Sequence, residues 1–261
     1  MTIIRAIFKN AFQANNVPDW TCPTCRKGIL KSDLKNIKIY ESAFSLKERN
    51  LVAGKAEWIN GIFLGLLKCT NSSCRETVII TGKFKNNETH SNGSTNDKNE
   101  IILNQLLTPT SFNPPIDIFH INNEVPRQIV NEIKNAFNVY WLDSSSCANK
   151  IRTVVELIMD DMKVAKTYIQ SKKRKSYTLH KRIELFKIKK PEQADLLMAI
   201  KWIGNSGSHT GDNITKDDIL DSFEILEHVT NRLYETDSKR IAKLTKMINK
   251  RKRALGHNRR R

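Results

Sequence analysis

Nowhere in the 261 residues is there a run of about 20 apolar side chains, which argues against a membrane-spanning helix. The opening residues, MTIIRAIFKNAF, lack the unbroken apolar core and small-residue cleavage site of a secretory signal. They read instead as a short amphipathic helix at the start of a cytoplasmic protein with no membrane partner. Acidic side chains are scarce in two places. Residues 236–261 hold 11 basic and one acidic residue, and residues 166–190 hold 10 and one. The rest is closer to balance, with 15 basic and 9 acidic residues in 1–100 and 18 and 17 in 101–235. Most of the +17 net charge therefore sits in the tail. Cation clusters of this kind attract polyanions by counterion release. A solubilising tail and a solvated loop are the plainer alternative. A hydrophobic fraction of 39 %, with four Trp and ten Phe, is enough for a core.

Only five cysteines are present, and four fall in two pairs: Cys22 and Cys25 in WTCPTCRKG, Cys69 and Cys74 in LKCTNSSCRE. Cys-x2-Cys and Cys-x4-Cys knuckles direct sulfurs inward from tight turns, and two knuckles complete a tetrahedral thiolate site. The 43 residues between the pairs make the spacing moderately specific. Disulfides are the competing reading, and they fit poorly with a chain lacking a secretion signal. The expected cofactor is zinc. Four thiolates leave no position for water, so such a zinc is structural. NIKIYESAF, AEWINGIFLGLLK and ETVIITGKF read as strands of a zinc ribbon. Cys147 is read as a small buried thiol at the start of a helix.

Residues 84–100, rich in Asn, Ser and Gly, read as a loop or linker. LLTPTSFNPPIDIFHINNEVP holds too many prolines for regular structure and is expected to run extended, anchored by Phe112, Ile118 and Phe119. From Pro126 the pattern turns helical. Ile129, Ile133, Phe137 and Tyr140 recur on one side. Ile151, Val154, Val155, Ile158, Met159 and Met162 form a second stripe, and Ile219, Phe223, Leu226, Val229 and Leu233 a third. Thr215 and Asp218 resemble a capping box. Arg152 and Glu156 stand four residues apart and suit an ion pair. Ile241, Leu244 and Ile248 recur among cations in a basic C-terminal helix. His180 and His228 are read as surface residues.

The expected fold class is α+β: a small N-terminal zinc-ribbon β domain, then an α-helical bundle, then a basic helical tail. The expected divisions are residues 1–85 for the ribbon with its N-terminal helix, 86–125 for a linker and extended Pro-rich segment, 126–235 for the bundle and 236–261 for the tail.

The stretch AIKWIGNSGSH (199–209) is the most pointed. Ala199, Ile200, Trp202 and Ile203 suit a buried helical face, and Gly204 suits a helix stop. The bare polar turn that follows reads either as a C-cap and loop or as a phosphate site.

Taken together, YWLDSSSCANKIRTVVELIMDD, LHKRIELF, AIKWIGNSGSH and ILDSFEILEHVTNRLYE resemble a bacterial domain-of-unknown-function family of the HEPN superfamily (higher eukaryote and prokaryote nucleotide-binding). Its subgroup often carries an N-terminal Cys-x2-Cys ribbon and a Pro-rich link. The resemblance implies a HEPN-like helical bundle, frequent homodimers and, in many members, metal-independent endoribonuclease activity in defence or toxin–antitoxin systems. It favours RNA over DNA. The superfamily's active motif is an arginine, often a polar residue, then four to six residues and a histidine. Here Gly204 precedes Asn205, and the nearest upstream cation is Lys201, with seven residues between it and His209.

Metal-independent RNA cleavage needs a base for the 2′-OH, an acid for the leaving oxygen and a cation for the phosphate. His209 suits the acid or base role, Lys201 the phosphate and Asn205 a hydrogen bond, with Arg152 and Glu156 supporting them from a neighbouring helix. The plainer readings are a cap for Asn205, a loop-fixing carbonyl bond for His209, a solvated Lys201 and a structural Arg152–Glu156 pair. Lys172, Lys173, Arg174, Lys175, Lys250, Arg251, Lys252 and Arg253 are the expected nucleic-acid contacts. The functional expectation is a nucleic-acid-engaging protein with endoribonuclease chemistry, the alternative being a non-catalytic binding or adaptor module.

Overall fold

The computed structural model describes residues 3–32, 34–51, 59–90, 101–206, 214–234 and 236–251. The fold is α+β, built on a curled antiparallel sheet and a set of packed helices. Strands β1 (Leu30–Lys31), β2 (Ile37–Glu41), β3 (Asn60–Cys69), β4 (Thr77–His90) and β5 (Ile101–Asn113) form the sheet. Its order is β1-β3-β4-β5, with β2 also on β3. A four-residue helix α1 (Ala6–Lys9) precedes them, and α2 (Ala43–Leu51) follows β2.

Side chains alternate across a strand, and the sequence supplies the matching pattern. On β3, Phe63, Leu67 and Cys69 point inward while Ile62, Leu64 and Leu66 stay exposed; on β4, Val78, Ile80 and Phe84 are buried. The register places Leu67 opposite Val78 and Phe63 opposite Gly82.

Parts of the expected linker and Pro-rich segment, 86–125, are strand, while 91–100 lie outside the described residues. Residues 86–90 continue β4, and 101–113 form β5, which pairs along it from Ile101–His90 to Asn113–Ile79. Pro109 stands opposite Gly82, where the register shifts. On the other side of β5 the described residues make only an isolated bridge, between Leu107 and Phe12, and an edge position at a bulge is where proline's missing N–H is tolerated. The expectation of an extended, anchored path does hold beyond β5, where Ile116, Ile118, Phe119 and Ile121 are all buried.

The helical half contains α3 (Arg127–Tyr140), α4 (Ser144–Asp161), α5 (Leu179–Lys187), α6 (Pro191–Ser206), α7 (Lys216–Tyr234) and α8 (Thr236–Arg251). The helix α4 packs on α3, α6 and α7, and α6 packs on α5. Every residue of the three stripes is buried except Met162, which is partly so. Local sequence sets the helix starts. Asp143 accepts from the Ser146 N–H at 2.6 Å and Thr178 from that of Lys181 at 3.2 Å. Thr215 and Asp218 bond reciprocally, at 2.8 and 3.2 Å, as a capping box.

The two halves share one apolar cluster. Trp20 packs edge-on against Phe12, Phe112 and Trp141, with centroids 5.4, 4.9 and 6.2 Å away, and its indole donates to the Ile7 carbonyl at 2.8 Å. Phe119 meets Phe137 at 5.0 Å, and Phe137 meets Phe223 at 5.3 Å. Cys147 is buried as expected, its thiol donating to the Ala136 carbonyl at 3.3 Å. Among the described residues no helix is long and apolar enough to cross a membrane.

Candidate functional site

Two turns bring the four paired cysteines together. In the first, Arg26 N–H bonds Cys22 O at 3.0 Å and Cys22 N–H bonds Gly28 O at 2.9 Å; in the second, Cys74 and Arg75 N–H groups bond Asn71 O. Arg26 and Arg75 both have φ 55°, the left-handed conformation that closes each turn one residue after a cysteine. Pairing of Leu30 with Cys69 sets the first turn beside the end of β3.

The four sulfurs lie within 4.8 Å of one another. Cys22 and Cys74 are 3.8 Å apart, and Cys25 and Cys69 are 3.6 Å apart. A tetrahedral ion with metal–sulfur bonds of about 2.3 Å requires sulfurs about 3.8 Å apart, so the group is of the right size and chemistry to hold a metal ion. None of the four is in a disulfide. Backbone N–H groups aimed at the sulfurs complete the cradle: Gly28 donates to Cys25 Sγ and Asn71 to Cys69 Sγ, both at 3.4 Å. The Gly28 and Lys27 amides lower the Cys25 thiol to about 6, while burial pushes Cys69 up to about 12.

A second constellation lies where α4, α5 and α6 meet. The helix α6 does not stop at Gly204 but runs on to Ser206. A Cβ on Gly204 would make ordinary contact, 3.4 Å from both the Ala148 carbonyl oxygen and Arg152 Cβ, so this glycine lies inside the helix against α4 and does not end it. Lys201, Gly204 and Asn205 share the spacing of one helical face. Lys201 is not solvated: it is only 8 % exposed. Its ammonium lies 3.4 Å from the centre of the Trp202 ring. Burial first, and then the charge of Arg152, lower its pKa. Among the described residues no carboxylate ion-pairs with Lys201. Arg152 pairs with Glu156 at 3.7 Å, as their spacing predicts. Asn205 lies half-buried within the last described turn of α6, so it is not the residue that caps it. His209 lies outside the described residues.

Two neighbours of this site had no signal in the sequence. Trp202, expected on a buried face, is 54 % exposed. His180, expected as a lone surface residue, packs edge-on to Trp202 at 5.8 Å and faces Glu184 at 3.5 Å. The His180–Glu184 pair follows from i,i+4 spacing on α5, whereas the His180–Trp202 contact joins two helices and no spacing within one segment encodes it.

The basic stretch 166–190 is also more ordered than a loop. Strands β6 (Thr167–Gln170) and β7 (Lys173–Ser176) form a hairpin, turned by Ser171 and Lys172 at φ 50° and 62°, both positive as a type I′ turn requires. Lys172, Lys173, Arg174 and Lys175 are all exposed. At the base, Tyr168 and Tyr177 stack at 4.6 Å and 22°. The hairpin is anchored through Asp160, which binds Lys166 and the buried Arg182, each at 2.7 Å. Lys250 and Arg251 are exposed at the end of α8, and Lys252 and Arg253 lie outside the described residues.

Residues 134–251 match the family model of a domain of unknown function (DUF4145), and residues 10–112 match that of a second domain of unknown function (DUF8608). No curated protein and no solved structure matches the chain. The first match covers the Lys201 constellation and the basic hairpin, and the second covers all four paired cysteines.

Proposed function

We propose that the chain is an RNA-binding protein in which a zinc ribbon is fused to a HEPN-like helical bundle, acting in the cytoplasm as a homodimer. The observation that carries the reading is the hairpin: four consecutive cations stand exposed above a stacked tyrosine pair, with no acidic residue on either strand. Cations neutralise backbone phosphates, and aromatic faces accept bases. Single-stranded RNA, whose bases are free to stack, fits this combination better than a duplex. The exposed cations of α8 extend the positive surface. Cys22, Cys25, Cys69 and Cys74 would hold zinc with a closed set of thiolates, which supplies folding energy and no chemistry.

The decisive measurement is the affinity for a fluorescent single-stranded RNA between 50 and 200 mM salt. Replacing Lys172, Lys173, Arg174 and Lys175 with alanine should weaken binding at least tenfold. The slope of log affinity against log salt should fall by about 3, at roughly 0.7 per neutralised phosphate. An unchanged slope would reject the hairpin as the contact.

Lys201 favours a second, more specific reading, metal-independent RNA cleavage. Among the described residues no carboxylate ion-pairs with Lys201, which stands beside the Arg152 charge, and a cation so placed is compensated by a bound phosphate. In this reading Lys201 and Arg152 hold the scissile phosphate, Asn205 hydrogen-bonds it and His209 moves the proton. Cleavage in EDTA that His209→Ala abolishes would establish it. RNA binding without cleavage leaves the non-catalytic module.

A further inference from the structure

The outer face of the sheet carries an apolar stripe with cations on both sides. Along β3 the outward positions are Ile62, Leu64, Leu66 and Lys68, alternating with the buried Phe63, Leu67 and Cys69. The register sets Tyr40 of β2 beside Ile62 and Lys38 beside Leu64. On the other flank β4 sets Ile79 beside Leu66 and Lys83 beside Ile62, and Lys85 follows on the same face. Ile62 is 61 % exposed and Tyr40 51 %, so nothing in the folded chain covers this end of the stripe. Apolar residues scattered singly over a surface carry no message, whereas a contiguous group marks an interaction surface.

The charges beside the stripe are of one sign. From Ile37 to Glu41, Asn60 to Cys69 and Thr77 to Lys85 the only acid is Glu41, and alternation turns it away from the face that Tyr40 occupies. Lys31, opposite Lys68, is already paired with Asp19. Among the described residues Lys38, Lys68, Lys83 and Lys85 make no ion pair. These charges sort the occupants. A second copy of the same face would set lysine against lysine, and α8 brings cations of its own. Single-stranded RNA needs aromatic faces for its bases, and the stripe has one, Tyr40. The Trp and Phe that seat apolar faces in a bilayer interface are missing from it.

We propose that this face docks an acidic amphipathic helix of a partner protein, with aliphatic anchors on Ile62, Leu64 and Leu66 and carboxylates against Lys38 on one flank and Lys83 on the other. The spacing agrees with the charge. Alternate residues of a strand are about 6.6 Å apart, and helix residues four apart rise about 6 Å. Three anchors one turn apart therefore meet three successive outward positions of β3, and residues beside the anchors on the helix reach both flanks. Anchors at this spacing are how a helix is read by an apolar surface, and complementary charge selects the partner and sets its register. The proposal is independent of the RNA reading, since none of its residues belongs to the hairpin or the Lys201 constellation.

The test is fluorescence anisotropy on the full chain with a labelled helical peptide of about 15 residues, bearing leucines one turn apart and glutamates on both sides of them. A peptide of the same composition with the leucine row broken up should bind about tenfold more weakly, the scale of one lost interface anchor. Leu64→Glu, at an exposed position, should weaken the striped peptide by a similar factor. Exchanging Lys38 and Lys83 for glutamate should reverse the preference, so that a peptide with lysines in place of its glutamates binds better than the original. That reversal tests the face even if Leu64→Glu folds poorly. Alanine at Lys172, Lys173, Arg174 and Lys175 should leave peptide affinity unchanged, which separates this face from the general attraction of a +17 chain. Equal binding of the striped and broken peptides, or a preference that survives the Lys38 and Lys83 exchange, would overturn the proposal. So would a Leu64→Glu effect confined to single-stranded RNA or to phosphatidylglycerol vesicles.

Discussion

A Cβ placed on Gly28 would stand 2.5 Å from Cys69 Sγ and 2.9 Å from the Asn71 amide nitrogen. Gly28 therefore belongs to the cysteine cluster although it contributes no ligand: the first turn can approach the second only if position 28 has no side chain. Gly28→Ala must push the turns apart. Metal content measured after purification should fall well below one ion per chain, whereas Gly204→Ala, whose Cβ would make ordinary contact at 3.4 Å, should leave it unchanged.

Thiols must lose their protons to bind a metal, so affinity depends on pH. Cys25 sits at about 6, below the ordinary thiol value of about 8.5. The sign follows: the lowered folded value favours the thiolate, a contribution present above the unfolded pKa and lost as pH falls through about 6. Release of zinc to a chromogenic chelator should rise on acidification, as protons compete with the metal for the four sulfurs, and the melting temperature should fall in parallel. A melting temperature unaffected by chelator at neutral pH would show that no structural metal is held.

Asp160 ties the hairpin base to α5 through Lys166 and Arg182. Burial opposes its ionisation, yet the two cations hold its carboxyl below the usual range. Arg182→Met should cost about 1.5–3 kcal/mol, the scale of a hydrogen bond to a charged group. The difference from wild type should shrink at acid pH, because a lowered carboxylate pKa stabilises above its unfolded value and its contribution is lost as pH falls through the folded one. Denaturant titrations at pH 7 and pH 3 measure both effects.

The helical half was largely legible because a buried stripe every three to four residues is a property of one segment alone. Cysteine spacing likewise announced the four sulfurs. What escaped the sequence depends on neighbours. Pro109 made residues 101–113 look irregular, although a proline at a bulge on an edge strand does not interrupt pairing. Gly204 looked like a stop because a glycine that ends a helix and one that lies within it are the same letter. The KRKS strand carries no β-branched or aromatic residue and no Asn-Gly turn, so its pairing with TYIQ left no pattern to read.

Lys201 offers the sharpest separation of stability from function. Its ammonium is buried against Trp202 and next to Arg152, and both burial and that neighbouring charge disfavour the protonated form. Methionine has similar length, packs well against an aromatic ring and removes the buried charge. Lys201→Met should therefore leave the unfolding free energy unchanged or raise it, by an amount on the order of 1 kcal/mol, with the melting temperature following, as is common where a functional group is kept at the expense of stability. The same variant should bind single-stranded RNA less well at low salt, and any cleavage should fall by about two orders of magnitude, the scale for a lost phosphate-stabilising donor. A purely structural lysine predicts the reverse, a lower melting temperature with RNA binding intact. Calorimetry and anisotropy on one preparation of each protein decide between the two.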